Sequence, residues 1–390
     1  MAFFKQKLVW IGFVAVFVVL MVFGVAMMGS VVGAKPKELP VALVVEDQAV
    51  TLPDGSELNV GAMVKEQLLA IEGLPVAWKE VATEAEAREG LDEQQYYGAL
   101  VLPADLSAGL ASLTTAEPKP ATVKILANEG MSVQASTAVK QVLGQVSRNV
   151  SAQLSQQLIG KLAEHSEAIP VSAAKALLTP ITVQEEIVHP IGANNASGNA
   201  PGMLAQIMWI GSLVVAIFMF LSGGKAKAAG DRGVTAALSQ AVTGLALVAA
   251  VSGFLVWMAS SWYGMAFADA TGTWLVLLLA GAAFFALQSA LLNWIGFAAM
   301  PILILLMFFS MPVMNMAPEF LPQATQDWLY AWTPFKFVAG GLRNAMYFSD
   351  VSVSATNIAV LWWIVGGGLA LLLASGLRKN KVAAETVAAA

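Results

Sequence analysis

The chain has 390 residues, of which 57% are hydrophobic and only 12% charged, and its mean hydropathy is +0.69. A soluble protein carries about 25% charged residues, so roughly half the usual charge is missing and lipid has to be part of the solvent. A net charge of −5 gives no reason to expect nucleic acid, the absence of cysteine excludes disulfides and thiolate-bound metal, and two histidines, His165 and His189, leave little for an imidazole site.

A helix needs about 20 mostly apolar residues to cross a bilayer core. Residues 8–29 supply the first such stretch, behind Lys5 and Lys7. The basic start and the small residues of "AMMGSVVGA" resemble a signal peptide, but the apolar run is longer than a signal core, so a retained anchor is the reading.

About 170 residues of ordinary soluble composition follow, from 30 to 200. "LPVALVVED" reads as a buried strand, "VGAMVKEQLLAIEG" as a helix ending on glycine, and "PVAWKEV" as a short strand. "TEAEAREGL" opens a helix with Thr83 as cap and Glu86 three residues on. "YYGALVLP" and "ATVKILAN" are further strands around the short helix "ADLSAGLASL". Strands alternating with helices predict an α/β layer. From 131 to 166, Val139, Val142, Val146, Val150, Leu154, Leu158 and Leu162 recur every three or four residues and predict one long amphipathic helix, packed on its own sheet or paired with a second copy. "HPIGANNASGNAPG" reads as a linker. Glu185 and Glu186 adjoin His189, but no repeated ligand pattern and no catalytic motif emerge, so an enzyme is not expected.

Five more apolar stretches fall at 203–221, 234–258, 273–292, 295–316 and 358–377. The third and fourth of these, parted by Asn293 and Trp294, read as a tight hairpin, because about 40 unbroken helical residues would be twice the bilayer thickness. The fold class expected is therefore an α-helical integral membrane protein of six spans with an exported α/β domain between spans one and two. Its parts are 1–29, 30–200, the membrane domain 201–377 and a cytoplasmic tail 378–390. With the N-terminus inside, Lys5, Lys7, Lys225, Lys227, Arg232, Arg378, Lys379 and Lys381 are cytoplasmic, whereas the short outer loops hold Lys336 and Arg343. The inside then has 2 acids against 8 bases and the outside 24 against 13, which places both termini in the cytoplasm.

The 222–233 loop carries Lys225, Lys227, Asp231 and Arg232, and is either an orientation signal or the place where an ATPase holds the protein. No span contains Asp, Glu, Lys, Arg or His, so proton-driven transport loses its direct support, and no phosphate-binding loop is present. Energy for any active transport has to come from another chain, and no cofactor is expected in this one. Gln206, Ser239, Gln240, Thr243, Gln288 and Ser289 read as hydrogen-bonding groups between helices, beside small residues such as Gly244 and Gly253. In the last outer loop Trp328, Tyr330 and Trp332 suit the membrane interface, with Pro318, Pro322 and Pro334 punctuating two short helices, and Lys336 and Arg343 following.

The ordered stretches "LPVALVVEDQ", "YYGALVLPADLSAGL", "ILANEGMSVQAS", "GNAPGMLAQIMWIGSL" and "TPFKFVAGGLRNAMYF" extend over nearly the whole chain. In them the protein resembles the YhgE/Pip (phage infection protein) family, within the type-2 ABC-exporter permeases. The resemblance implies a multi-pass protein of the bacterial plasma membrane, a homodimer or a pairing with a related half, and a separate ATPase touching the loop between spans two and three. The cargo expected is a lipid-like or amphipathic compound. The alternative is a non-transporting envelope adaptor, secretion accessory or phage attachment protein acting through the exported domain. The family's long coiled coil is reduced here to about one helix, and it has no shared catalytic set to carry over.

Overall fold

The computed structural model describes residue 21 and residues 35–52, 55–113, 118–165, 171–348 and 355–378. Apart from residue 21, the expected first span, at 8–29, and the tail beyond 378 lie outside the described residues. The described residues divide into two compact units, Pro36–Pro190 in one and those from Ile191 onward in the other.

The first unit is built on strands β1 (Leu39–Val45), β4 (Val76–Val81), β5 (Gly98–Leu102), β6 (Ala121–Asn128) and β7 (Ile181–Val188), in the spatial order β4-β1-β5-β6-β7. A two-stranded ribbon, β2 (Val50–Thr51) and β3 (Glu57–Leu58), stands apart. β1 runs parallel to both neighbours, with Leu39 opposite Val76 and Val41 opposite Gly98; β5 and β6 are antiparallel, and β6 and β7 parallel. The central position of β1 follows from its unbroken apolar run, which suits a strand covered on both faces. Helix α2 (Glu84–Asp92) covers one face, where Ala87 and Leu91 meet Ala42, Val44, Ala99, Val101 and Leu126. Leu100, Leu102, Val123 and Ile181 face the other way, toward α1 (Val60–Ala70) and α4 (Val133–His165).

Polar groups fix the helix starts. The Thr83 hydroxyl accepts from the Glu86 amide at 3.2 Å, as the capping box predicts, while the Glu86 carboxylate reaches the Ala82 amide instead of that of Thr83. Asp47, just beyond β1, accepts from the Gly61 amide at 2.7 Å and the Ser107 amide at 2.8 Å, so one carboxylate closes the N-terminal ends of both α1 and α3 (Leu106–Ser112). The long helix α4 buries Val139, Leu143, Val146, Val150 and Leu154 in its own unit; Val142 and Leu158 are half-buried. Leu143 therefore stands where the sequence pattern had Val142, and Leu162 lies among residues whose side chains are not described. Helix α5 (Val171–Leu178), tied to α4 by the Ser155 hydroxyl donating to the Leu177 carbonyl, and the edge strand β7 complete the unit.

The second unit is a helical bundle: α6 (Ala200–Ala228), α7 (Gly233–Ser261), α8 (Ala270–Ile295), α9 (Ala299–Asn315), α10 (Pro334–Tyr347) and α11 (Ala355–Ser375). Among the described residues four stretches are long and apolar enough to cross a membrane: Ala200–Ala228, Gly233–Ser261, Ala270–Met311 and Ala355–Ser375. The third of these breaks at Gly296, whose φ of +63° a residue with a side chain rarely adopts. Beyond the break α9 doubles back: Phe297 meets Phe220, far along α6, whereas Met314 accepts a hydrogen bond from Arg343, one turn before Tyr347. Tyr347 donates to Asn195 just ahead of α6. The hairpin expected from the sequence is thus present, with its bend three residues beyond Asn293. Helix α8 is the hub, buried over 78% of its most apolar stretch against 28–39% for the other three. Trp209, Phe284 and Phe335, with ring centres 4.8–5.0 Å apart, join α6, α8 and α10 at its middle.

Candidate functional site

Hydropathy places the end of the second span near 221, but α6 continues to Ala228, so the expected loop 222–233 contracts to the four residues 229–232. The reason is local: Lys and Ala are good helix formers, and lysines in a last turn meet the negative end of the helix dipole. The helix stops with the Gly230 amide donating to the Lys227 carbonyl and the Asp231 amide to the Ala226 carbonyl, a paired closure that requires left-handed backbone, supplied by Gly230 at φ +107°. Lys225, Asp231 and Arg232 are exposed and Lys227 half-buried; none of the four forms a side-chain ion pair with a described residue.

The helix ends around this turn are locked together. The backbone of Gly233, at the start of α7, lies against Gly376, just after α11; a Cβ on Gly233 would stand 2.3 Å from the Gly376 carbonyl oxygen. Arg378 donates to the Trp294 carbonyl at 3.0 Å and lies over the Trp294 ring, while the Trp294 indole N–H reaches the Leu371 carbonyl at 2.9 Å. Of the interhelical polar groups read from the sequence, Gln288 donates to the Trp209 carbonyl at 3.1 Å and Gln240 accepts from Asn293 at 3.0 Å. Ser289 is fully buried with no partner for its hydroxyl among the described residues, Ser239 and Thr243 are exposed, and Gln206 is half-buried. Gly244 permits close packing as expected, since a Cβ there would lie 1.9 Å from the Phe285 ring, while Gly253 makes only ordinary contact with Trp274. Neither the Gly233–Gly376 approach nor the Gln240–Asn293 pair was legible in the sequence, because each depends on a helix end met only in three dimensions.

At the opposite end, where α6 begins, Asn195 donates to the Ala193 and Ala266 carbonyls. The segment after α9 forms a 3-10 turn at Pro318–Phe320, one helical turn at Gln323–Thr325 and a π turn at Gln326–Tyr330, and then α10. Pro318 and Pro334 open their helices and Pro322 caps one, as the punctuation predicted. Trp328 (79% exposed) and Trp332 (57%) point outward, as do Trp257, Trp262 and Tyr263 at the end of α7 and just beyond it. Lys336 donates to the Ala331 carbonyl and lies over the rings of Tyr330 and Phe337, and Arg343 reaches back to the Met314 carbonyl. Lys336 and Arg343 thus bind the loop's own backbone and rings.

In the first unit the charged groups pair with one another. Arg88 bridges Glu84 and Glu186 at 2.8 and 2.6 Å, and Lys124 meets Glu84 at 2.8 Å. The hydrogen bond from Lys124 holds the Glu84 carboxyl below the usual range, that from Arg88 does the same for Glu186, and Glu186 in turn raises Arg88. His189 pairs with Asp92 at 2.8 Å, so Glu186 and His189 are drawn to different partners and do not converge on a metal.

A family model described as "ABC-2 family transporter protein" matches residues 7–376. No curated protein and no solved structure matches the chain.

Proposed function

Since the chain belongs to the ABC-2 family of transporter proteins, we propose that it is the permease half of an exporter driven by a separate ATPase, which grips the ends of α6 and α7. The observation that carries this reading is the turn itself. Helices of 29 residues are about 43 Å long against a hydrocarbon core of about 30 Å, so α6 and α7 have roughly two turns to spare. In this reading that surplus is on the cytoplasmic side: it carries Lys225 and Lys227 in the last turn of α6 and ends in a four-residue closure with Arg232, none of the three paired to an acid among the described residues. A tight turn on two long helices is a stiff handle: a push on it moves both helices rather than flexing a loop.

The cargo we infer is lipid-like or amphipathic. From residue 200 to 222, and throughout α7, α8, α9 and α11, no side chain can carry charge, which favours an apolar path over an ion path. The first unit is then extracytoplasmic and the segment 317–355 an outer interfacial element, with both termini in the cytoplasm and two copies or two related halves completing the path. The narrower likeness to the YhgE/Pip family belongs to this reading and rests on the ordered stretches quoted above.

The test is a crosslinking capture from native membranes, comparing wild type with the triple variant Lys225→Glu/Lys227→Glu/Arg232→Glu after its membrane topology is verified. An ATPase recovered with wild type and lost with the variant supports the coupling role. Envelope proteins captured equally by both, with no ATPase, would overturn it in favour of an adaptor.

A further inference from the structure

Gln240, on α7, is 3% exposed and faces two other helices at once. On one side Asn293 of α8 donates through Nδ2 to Gln240 Oε1 at 3.0 Å and to the Ser289 carbonyl, one turn back, at 2.9 Å. On the other side the Gln240 amide presses on α6, where a Cβ on Gly223 would stand 1.8 Å from Nε2. That Nε2 group carries two hydrogens and has no acceptor among the described residues. Leaving a buried amide N–H unmet inside an apolar bundle is costly. An amide held on one side and unmet on the other is what a joint with two positions leaves in one of them.

Its place in the bundle gives such a joint work to do. Gln240 stands about two turns from Gly233, where α7 leaves the tight turn, and Asn293 stands three residues before the break at Gly296. Movement of the ends of α6 and α7 therefore reaches the α8–α9 hairpin through this amide as well as through the Phe220–Phe297 contact. Gly223 leaves the α6 backbone bare at the contact, so a small slide of α6 offers Nε2 a main-chain carbonyl. We propose that Gln240 and Asn293 form a two-position joint that transmits motion of the α6–α7 turn to the α8–α9 hairpin, with Nε2 unpaired in the arrangement described and paired to α6 in the other. Both are positioning residues. The proposal takes from the reading of the turn as the ATPase contact only the source of the motion.

The chain has no cysteine, so spin labels can be placed at will. Full-length protein carrying Ala228→Cys and Ile295→Cys, at exposed positions on α6 and α8, is labelled in nanodiscs and the inter-label distance distribution measured by pulsed electron resonance. Wild type is expected to show two populations. Gln240→Met, which removes the amide at nearly constant length, should deplete the second at least about threefold, and Gly223→Ala, which covers the α6 backbone that Nε2 would pair with, should deplete it likewise. Identical distributions in all three proteins, or a second population that either variant leaves undiminished, would overturn the joint; if Gln240→Met does not insert, an unmoved Gly223→Ala distribution does so alone. Depletion by both variants in a chain that captures no ATPase would keep the joint and remove the coupling role of the turn. Capture with unmoved distributions would do the reverse.

Discussion

Asp47 shows how much one side chain can organise. It follows β1, and its two oxygens take the Gly61 amide, the Ser107 amide and the Ser107 hydroxyl, while the same hydroxyl accepts from the Val60 amide at 2.8 Å. Two helix N-termini and one strand end thus meet at a single carboxylate. Asp47→Ala leaves those amides without an acceptor and should cost about 2–4 kcal/mol, since hydrogen bonds to a charged group are worth about 1.5–3 kcal/mol each. Hydrogen exchange on the full-length protein checks this: protection should fall first at residues 60–64 and 106–110, and unchanged protection there would show that water replaces the carboxylate at no cost.

Among elements, the charged patch on α2, β6 and β7 sets a pH response. The folded carboxyls of Glu84 and Glu186 titrate below their ordinary value of 4.5, so their contribution is complete at neutral pH. As pH falls through 4.5 the unfolded chain takes up protons first, and the contribution is gone once pH drops below the depressed folded values. Arg88 and Glu186 are 36% and 41% exposed, so solvent screens the pair and the effect is modest. Exchange protection of β7 should weaken on acidification from pH 6 to pH 4 by about threefold or less, and Glu84→Gln should flatten that dependence. The elements that were legible from sequence are those with a local cause: the buried run of β1, the Thr83 cap of α2, the three-to-four spacing of α4. Strand β7 was not, because "ITVQEEIV" is an edge strand whose outward residues are polar and whose partner, β6, lies some 60 residues earlier. The last two turns of α6 were missed for a different reason. Hydropathy falls at Ser222, where the lipid is expected to end, but the helical hydrogen bonds continue as far as Gly230 ends them.

At the scale of the whole molecule, the orientation inferred from the basic residues makes a direct prediction. On the cysteine-free background, Lys119→Cys in the first unit should react with a membrane-impermeant maleimide in intact cells, and Lys225→Cys only after permeabilisation. The reverse pattern would invert the protein and place the α6–α7 turn outside. The sheathing of α8 also bears on how the chain is made. Gln288 and Ser289 are fully buried on a helix that, alone in hydrocarbon, would hold both against acyl chains. Synthesis runs from the N-terminus, so when α8 leaves the translocon the Trp209 carbonyl of α6 already stands ready to accept from Gln288, and Gly244 of α7 has left room for Phe285. Order along the gene therefore serves as an assembly schedule: a circular permutant that delivered α8 ahead of α6 and α7 would ask the insertion machinery to release a helix before the carbonyl that meets its buried Gln288 had been translated.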